Sequence, residues 1–302
     1  MASPTSFDVI VIGGSYAGLS AALVLGRSLR TVLVLDNGQP ANQQTPHSHS
    51  FLTRDGETPA TLSAIARQQA LAYPSVQLRE ATATTAQRTE GGFSVTIETG
   101  EIFNARRLVL ATGLKDLLPP LPGFADCWGI SVLHCPFCHG FEVKDKTVGV
   151  LANGDTGFEM AKLIRHWNPG LCLYTNGPST LSAFQTAELQ RHGLSIQETP
   201  VIALQHQNGR LQALRLADGS TVPLDALYAR PALRQASNLA EQLGCRLDEN
   251  GLVIVKEMGK TTVEGVYAAG DTHSMMRQVA VAAASGLRAA ASIQKELIDD
   301  DF

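Results

Sequence analysis

Cys135 and Cys138 stand with two residues between them in the stretch His134-Cys135-Pro136-Phe137-Cys138-His139-Gly140-Phe141-Glu142. A pair at that spacing can close a small disulfide suited to reversible exchange. A thiolate there can be stabilised by the local backbone and a neighbouring imidazolium, which makes it a usable nucleophile near neutral pH. The same residues spell two other chemistries. With His134 or His139 the pair is half a zinc site, although structural zinc usually takes a second Cys or His pair farther along. Cys127, Cys172 and Cys245 are single. Cys-Pro-Phe-Cys-His also matches the c-type haem attachment pattern, which normally goes with an exported chain. The redox disulfide is the favoured reading, with no metal expected, because of the elements on either side of the pair.

Asp8–Ile12 is a continuous apolar run and reads as a buried parallel strand. It leads into Gly13-Gly14-Ser15-Tyr16-Ala17-Gly18, then a helical segment from Leu19 to Arg30 and a second apolar run, Thr31–Leu35, ending at Asp36. That order is a βαβ unit with a phosphate-cradling turn, in which small residues let the backbone approach a pyrophosphate at a helix N-terminus. Asp36 falls 23 residues after Gly13, where a carboxylate can bind an adenosine ribose. Ser15 holds the middle glycine position, and its hydroxyl can itself reach a phosphate.

Pro40–Gly56 is polar and reads as a loop whose His47 and His49 lie near a ligand or at the surface, followed by a helix over Pro59–Leu71. Val76–Gly100 alternates in strand fashion and predicts a small antiparallel layer. Arg107–Gly113 is an apolar strand ending in Ala111-Thr112-Gly113, and the prolines of Lys115–Gly123 mark a linker. Directly after the cysteine pair, Thr147–Gly157 overlays the first βαβ unit at a constant offset of 139 residues. Asp8 falls on Thr147, Gly13 on Ala152, Gly18 on Gly157 and Asp36 on Thr175. The chain is therefore duplicated at domain scale, and the copy is eroded at each diagnostic point. No Lys or Arg for a 2′-phosphate follows Thr175 until Arg191, which leaves Arg165 as the cation that could swing in from the helix. Near the end, Thr262–Asp271 is a short strand delivering an aspartate, and Arg277-Gln278-Val279 opens a small-residue helix.

At 302 residues and 44% hydrophobic, the chain can bury two cores. A net charge of −4 without a basic run excludes nucleic acid and anionic membranes as expected partners. Met1–Phe7 shows no signal-peptide pattern, no apolar stretch is long enough to span a bilayer, and five cysteines lack framework spacing. A cytoplasmic location is expected.

Gly13–Gly18, Asp36, Ala111-Thr112-Gly113, Cys135–Cys138 and Gly265–Asp271 with Arg277-Gln278, in that order, resemble the low-molecular-weight thioredoxin reductase-like flavoproteins over essentially the whole chain. The resemblance implies two Rossmann-like, doubly wound α/β domains. Residues 1–116 with 242–302 would form the FAD domain, and 117–241 a pyridine-nucleotide-type domain carrying the cysteine pair. It implies that Gly13, Gly14, Ser15, Ala17 and Gly18 contact the FAD pyrophosphate and that Asp36 holds the ribose. Asn42, Thr112 and Gly113 would join the cofactor site, Asp271 the ribityl–phosphate arm and Gln278 the isoalloxazine. Cys135 and Cys138 would exchange electrons with flavin and substrate. His139 stands where thioredoxin reductases carry an acid, and an imidazole can serve the same proton traffic. Cys-Pro-Phe-Cys-His-Gly-Phe-Glu and His47–Gly56 also resemble the branch of gliotoxin-type dithiol oxidases. The eroded second unit resembles reductases fed by ferredoxin or another flavin. The expected function is an FAD-dependent dithiol–disulfide oxidoreductase without conventional NADPH use. Its expected partner is a thioredoxin-like protein or small dithiol, and its expected state a homodimer. The alternatives are an NADPH-dependent thioredoxin reductase with a divergent nucleotide site, or a non-catalytic flavin-binding regulator.

Overall fold

A computed structural model describes residues 5–302; Met1–Pro4, the head of the stretch read above for an export signal, lie outside the described residues. The chain forms two compact units. One holds residues up to Gln43, Ser50–Lys115 and Leu233–Phe302; the other holds Gln44–His49 and Asp116–Ala232.

The chain opens with β1 (Ser6–Ile12), α1 (Tyr16–Arg27), β2 (Val32–Asp36), α2 (Pro59–Leu71), β3 (Val76–Glu80), β4 (Ala83–Thr89), β5 (Gly92–Ile97), β6 (Ile102–Leu110) and β7 (Leu114–Leu117). Then come α3 (Phe124–Cys127), β8 (Val132–Leu133), α4 (Pro136–Val143), β9 (Val148–Leu151), α5 (Gly154–Ile164), β10 (Cys172–Tyr174) and α6 (Ala183–Arg191). They are followed by β11 (Ser195–Gln197), β12 (Val201–Gln207), β13 (Arg210–Leu216), β14 (Thr221–Pro223) and β15 (Ala226–Ala229). The chain returns through β16 (Ala232–Gln235) to α7 (Leu239–Gln242), β17 (Val266–Ala268) and α8 (Val279–Asp301).

In the first unit β3, β2, β1 and β6 lie side by side in parallel, and β17 pairs in parallel with β6. Val9, Val11 and Val34 are buried on one face, against α1 and α8 residues such as Leu25 and Ile293. Ile10, Leu33 and Leu35 are buried on the other. Burial on both faces is why these strands are continuously apolar. The antiparallel pairing expected over 76–100 is present in β4 and β5, but it is part of the main sheet and does not include β3. β3 joins the parallel sheet beside β2, and β5 and β4 extend the same sheet beyond β6. The physical reason is the length of β6: its first half pairs with β5 and its last residues, Leu108–Leu110, with β17.

The second unit repeats the plan with a parallel sheet in the order β11-β10-β9-β15-β8, beside a three-stranded antiparallel sheet of β12, β13 and β14. The expected doubly wound α/β class describes both units. Among the described residues no helix is long and apolar enough to cross a membrane.

Candidate active site

The turn between β1 and α1 is built by what it cannot hold. Gly13 has φ 111°, and a Cβ there would run into the Ala111 carbonyl. A Cβ on Gly18 would strike the Gly13 carbonyl, and one on Gly14 would lie 2.6 Å from the Asp36 Cβ. The N–H of Gly13 donates to Leu35 O at 2.8 Å and that of Gly14 to Asp36 Oδ1 at 3.2 Å. These two glycines therefore shape the turn, and the donors left over are those at the head of α1. Ser15 precedes that helix in an extended conformation, and its hydroxyl makes no capping bond. The helix accordingly starts at Tyr16, three residues before the sequence predicts, with first-turn N–H groups available to an acceptor.

Asp36 is buried at the end of β2, and its second oxygen pairs with the Arg67 guanidinium from α2. Asn42 donates to the Tyr16 hydroxyl at 3.4 Å, and burial raises the Tyr16 pKa. Thr112 and Gly113 follow β6; a Cβ on Gly113 would meet nothing within 4 Å, so open space lies beside it. The Gly113 N–H donates to the Thr272 hydroxyl at 2.9 Å, which ties this corner to the 3-10 turn Gly270–His273. Asp271 in that turn accepts from Arg277 Nε at 3.0 Å. His273 Nε2 is buried without a hydrogen-bond partner, and burial lowers its pKa. Gln278 stands extended at the N-terminus of α8. That helix is locked to α1, because a Cβ on Gly286 would meet the Ala17 carbonyl and Ser20 Oγ donates to Ala283 O at 2.7 Å. The first-unit residues singled out from sequence thus gather around the carboxyl ends of β1, β2, β6 and β17, where open α/β sheets bind ligands. Arg67 and Thr272 were missed, since a lone Arg on a helix and a lone Thr in a turn carry no sequence signal.

In the second unit Cys135 and Cys138 form a disulfide across the start of α4, with a Cα–Cα distance of 5.3 Å. Cys135 is the extended residue before the helix and Pro136 its first residue. The N–H groups of Cys138 and His139 donate to Cys135 O at 3.3 and 3.2 Å. Among the described residues no group of three His, Cys, Asp or Glu is placed to hold a metal ion. His139 is pushed down to about 4, first by burial and then by the neighbouring His134. Glu142 acts in the opposite direction, and His49 adds to the depression. At neutral pH His139 is therefore a neutral imidazole, able to accept a proton. Phe137 and Phe141 on the same helix are 62% and 70% exposed. Trp167 meets the Phe137 ring edge-on at 5.6 Å and leaves room only for Gly140 beneath it.

The β9–α5 turn repeats the first turn in outline and differs at its centre. Asn153 stands where the first unit has Gly14, and its side chain fills the notch. Its Oδ1 accepts from Gly154 N at 2.8 Å and Thr180 N at 2.9 Å, while its Nδ2 donates to Pro178 O at 2.9 Å. Asp155 adds negative charge to the first turn of α5 and accepts from Gln185 Nε2 at 2.8 Å. Thr175, at the position of Asp36, turns its hydroxyl to Gly177 O at 2.7 Å. Arg165 ends α5, about 16 Å along the axis from this notch, and its Nε donates to His192 O.

An open glycine cradle in one doubly wound unit and a helix-borne disulfide in another define a two-unit α/β disulfide oxidoreductase. The family model for pyridine nucleotide-disulphide oxidoreductases matches residues 7–286. Thioredoxin reductase tcpT of Claviceps purpurea is 34% identical, covering 99% of this chain and 97% of that protein. The structure of HlmI superposes with a TM-score of 0.93 at 32% identity, over 100% of this chain and 95% of that one. An oxidoreductase from Agrobacterium tumefaciens superposes with a TM-score of 0.91 at 36% identity, over 97% and 99%. The chain belongs to the pyridine nucleotide-disulphide oxidoreductase family. Within it, the chain is a thioredoxin reductase-like enzyme, a flavoprotein with a redox-active dithiol–disulfide pair.

Proposed function

We propose that the flavin is FAD, that it binds the first unit, and that NADPH is not its customary reductant. The observation carrying the last point is Asn153, whose carboxamide takes up the space and the Gly154 donor that a second pyrophosphate would need. The first unit, by contrast, suits FAD: its helix head is uncapped, its glycines leave no room for side chains, and His273 Nε2 waits unpaired beside Asp271. When bound, FAD would supply a two-electron store in exchange with Cys135 and Cys138. The backbone from Gly13 to Gly18 would hold the pyrophosphate. Asp36 would accept from the ribose through the lone pairs that Gly14 and Arg67 leave. Asn42, Thr112, Gly113, Asp271 and Gln278 would line the rest, with the positive end of α8 favouring negative charge.

In the second unit His139 takes the proton of an incoming thiol, and the thiolate attacks the disulfide. The same reading has a homodimer acting in the cytoplasm on a thioredoxin-like protein or a small dithiol, with ferredoxin or another protein as alternative electron donor. The test is an anaerobic titration of the flavin absorbance with NADPH, NADH, dithiothreitol and reduced ferredoxin in turn. Thiol or ferredoxin is expected to bleach the flavin efficiently and NADPH poorly. Rapid, saturable reduction by micromolar NADPH would overturn the assignment in favour of an NADPH-dependent thioredoxin reductase.

A further inference from the structure

The short segment Gln44–His49 packs with the second unit although its sequence neighbours on both sides belong to the first. Its Thr45 lies against Gly129, where an added Cβ would come within 3.2 Å of the threonine hydroxyl. Its His49 brings Nε2 to 3.5 Å from Glu142 Oε1 on α4. Glu142 follows His139 by three residues on that helix, so the two side chains share a face. Neighbours from five places surround this face. His134 approaches His139 from the turn before the helix, Glu142 from its own helix and His49 from the segment 44–49. On β15, Tyr228 has a buried hydroxyl without a partner, and Glu142 acts on it electrostatically. From the end of α5, Trp167 covers Gly140, with His166 edge-on behind it, while Lys144 sits over Phe141.

We propose that His49 is a positioning residue for the thiol chemistry: it engages Glu142, withholds that carboxylate from His139, and so lets His139 meet an incoming thiol as a neutral base. An Nε2–H can face the carboxylate in either protonation state of His49. A carboxylate freed beside an imidazole favours the imidazolium, which cannot take a thiol proton. The role rests on His139 serving exchange at Cys135–Cys138. In that step the S–H proton passes to an imidazole nitrogen. The substrate sulfur uses its electron pair to bond one cysteine sulfur, the S–S bond breaks, and the other sulfur leaves as thiolate.

The test uses the flavin-loaded protein and two readouts: the anaerobic rate of flavin bleaching by dithiothreitol from pH 4 to 9, and the NMR titration of the His139 ring. In His49→Leu both the ring midpoint and the acid limb of the rate are expected to rise together. His49→Lys, which again sets an N–H donor opposite Glu142, is expected to bring both back. Glu142→Gln and the double variant Glu142→Gln/His49→Leu are expected to show no upward shift. A rate that falls equally at every pH in His49→Leu, with the ring midpoint unmoved, makes the contact merely structural and overturns the proposal. So does a double variant that shifts as far as His49→Leu alone. If His49→Leu fails to fold, a raised midpoint in Glu142→Gln overturns it instead. A wild-type flavin that no dithiol bleaches at any pH would refute the exchange chemistry, while the ring titrations would still decide what His49 does to His139.

Discussion

Cys135 and Cys138 form the disulfide at the head of α4, and in the proposed function the imidazole of His139 serves it. Cys135→Ser and Cys138→Ser are each expected to abolish disulfide turnover and leave the protein yellow. Absorbance spectra with a thiol–disulfide assay decide this, and wild-type turnover in both variants would refute the redox assignment. His139 also makes stability depend on pH. Its ionisation is depressed from the usual 6.5 to about 4, so between those values the unfolded chain binds the extra proton. Stability contributed at this position is therefore full above about pH 6.5 and falls as the pH drops toward 4, by up to about 3 kcal/mol. Urea titrations at pH 7 and pH 4.5 are expected to show that loss, and His139→Gln is expected to reduce it.

Among the elements, α1 matters for its uncapped head and α8 for how tightly it presses on α1. Gly18→Val places a side chain against the Gly13 carbonyl and is expected to yield a colourless protein. Stoichiometric FAD in that variant would refute the cradle assignment. Gly286→Leu pushes into the Ala17 carbonyl, and overpacking of this kind costs about 1–3 kcal/mol. It is expected to lower the melting temperature and loosen the cofactor together. In the second unit Asn153 caps α5 and ties it to the β10–α6 loop. Asn153→Ala is expected to cost about 1 kcal/mol of stability. With Asp155 and Thr175 still in place, it is expected to give no NADPH-driven bleaching.

At the scale of the molecule, each unit has cores of its own, with Ile10 and Val11 in the first and Val150 and Leu227 in the second. A cofactor confined to one unit stabilises that unit by mass action, about 2.7 kcal/mol when free ligand is a hundredfold above Kd. Hydrogen exchange on apo and FAD-loaded protein is therefore expected to slow at β1–α1, β2 and the Thr112–Gly113 corner. The β9–α5 turn is expected to keep its rate when NADPH is added. Protection at Asn153–Gly157 on adding NADPH would instead mean that the second notch opens to a nucleotide.

Strand, turn and helix order in both units was legible in the sequence, because buried parallel strands must be apolar on both faces and a phosphate turn must be made of small residues. The cysteine pair was legible for the same local reason: a separation of three residues fixes what two sulfurs can reach. Even the erosion of the second unit could be seen, as Ala152 and Thr175. What Asn153 does there could not, since its capping bonds run to Pro178 and Thr180 in a loop whose approach depends on the packed sheet. Arg67 on Asp36 and His49 on Glu142 belong to the same class. Each joins side chains that are distant along the chain, and only the closure of the intervening chain brings them within reach. The sequence by itself determined which local motifs exist; the tertiary structure decided which charges face one another across them.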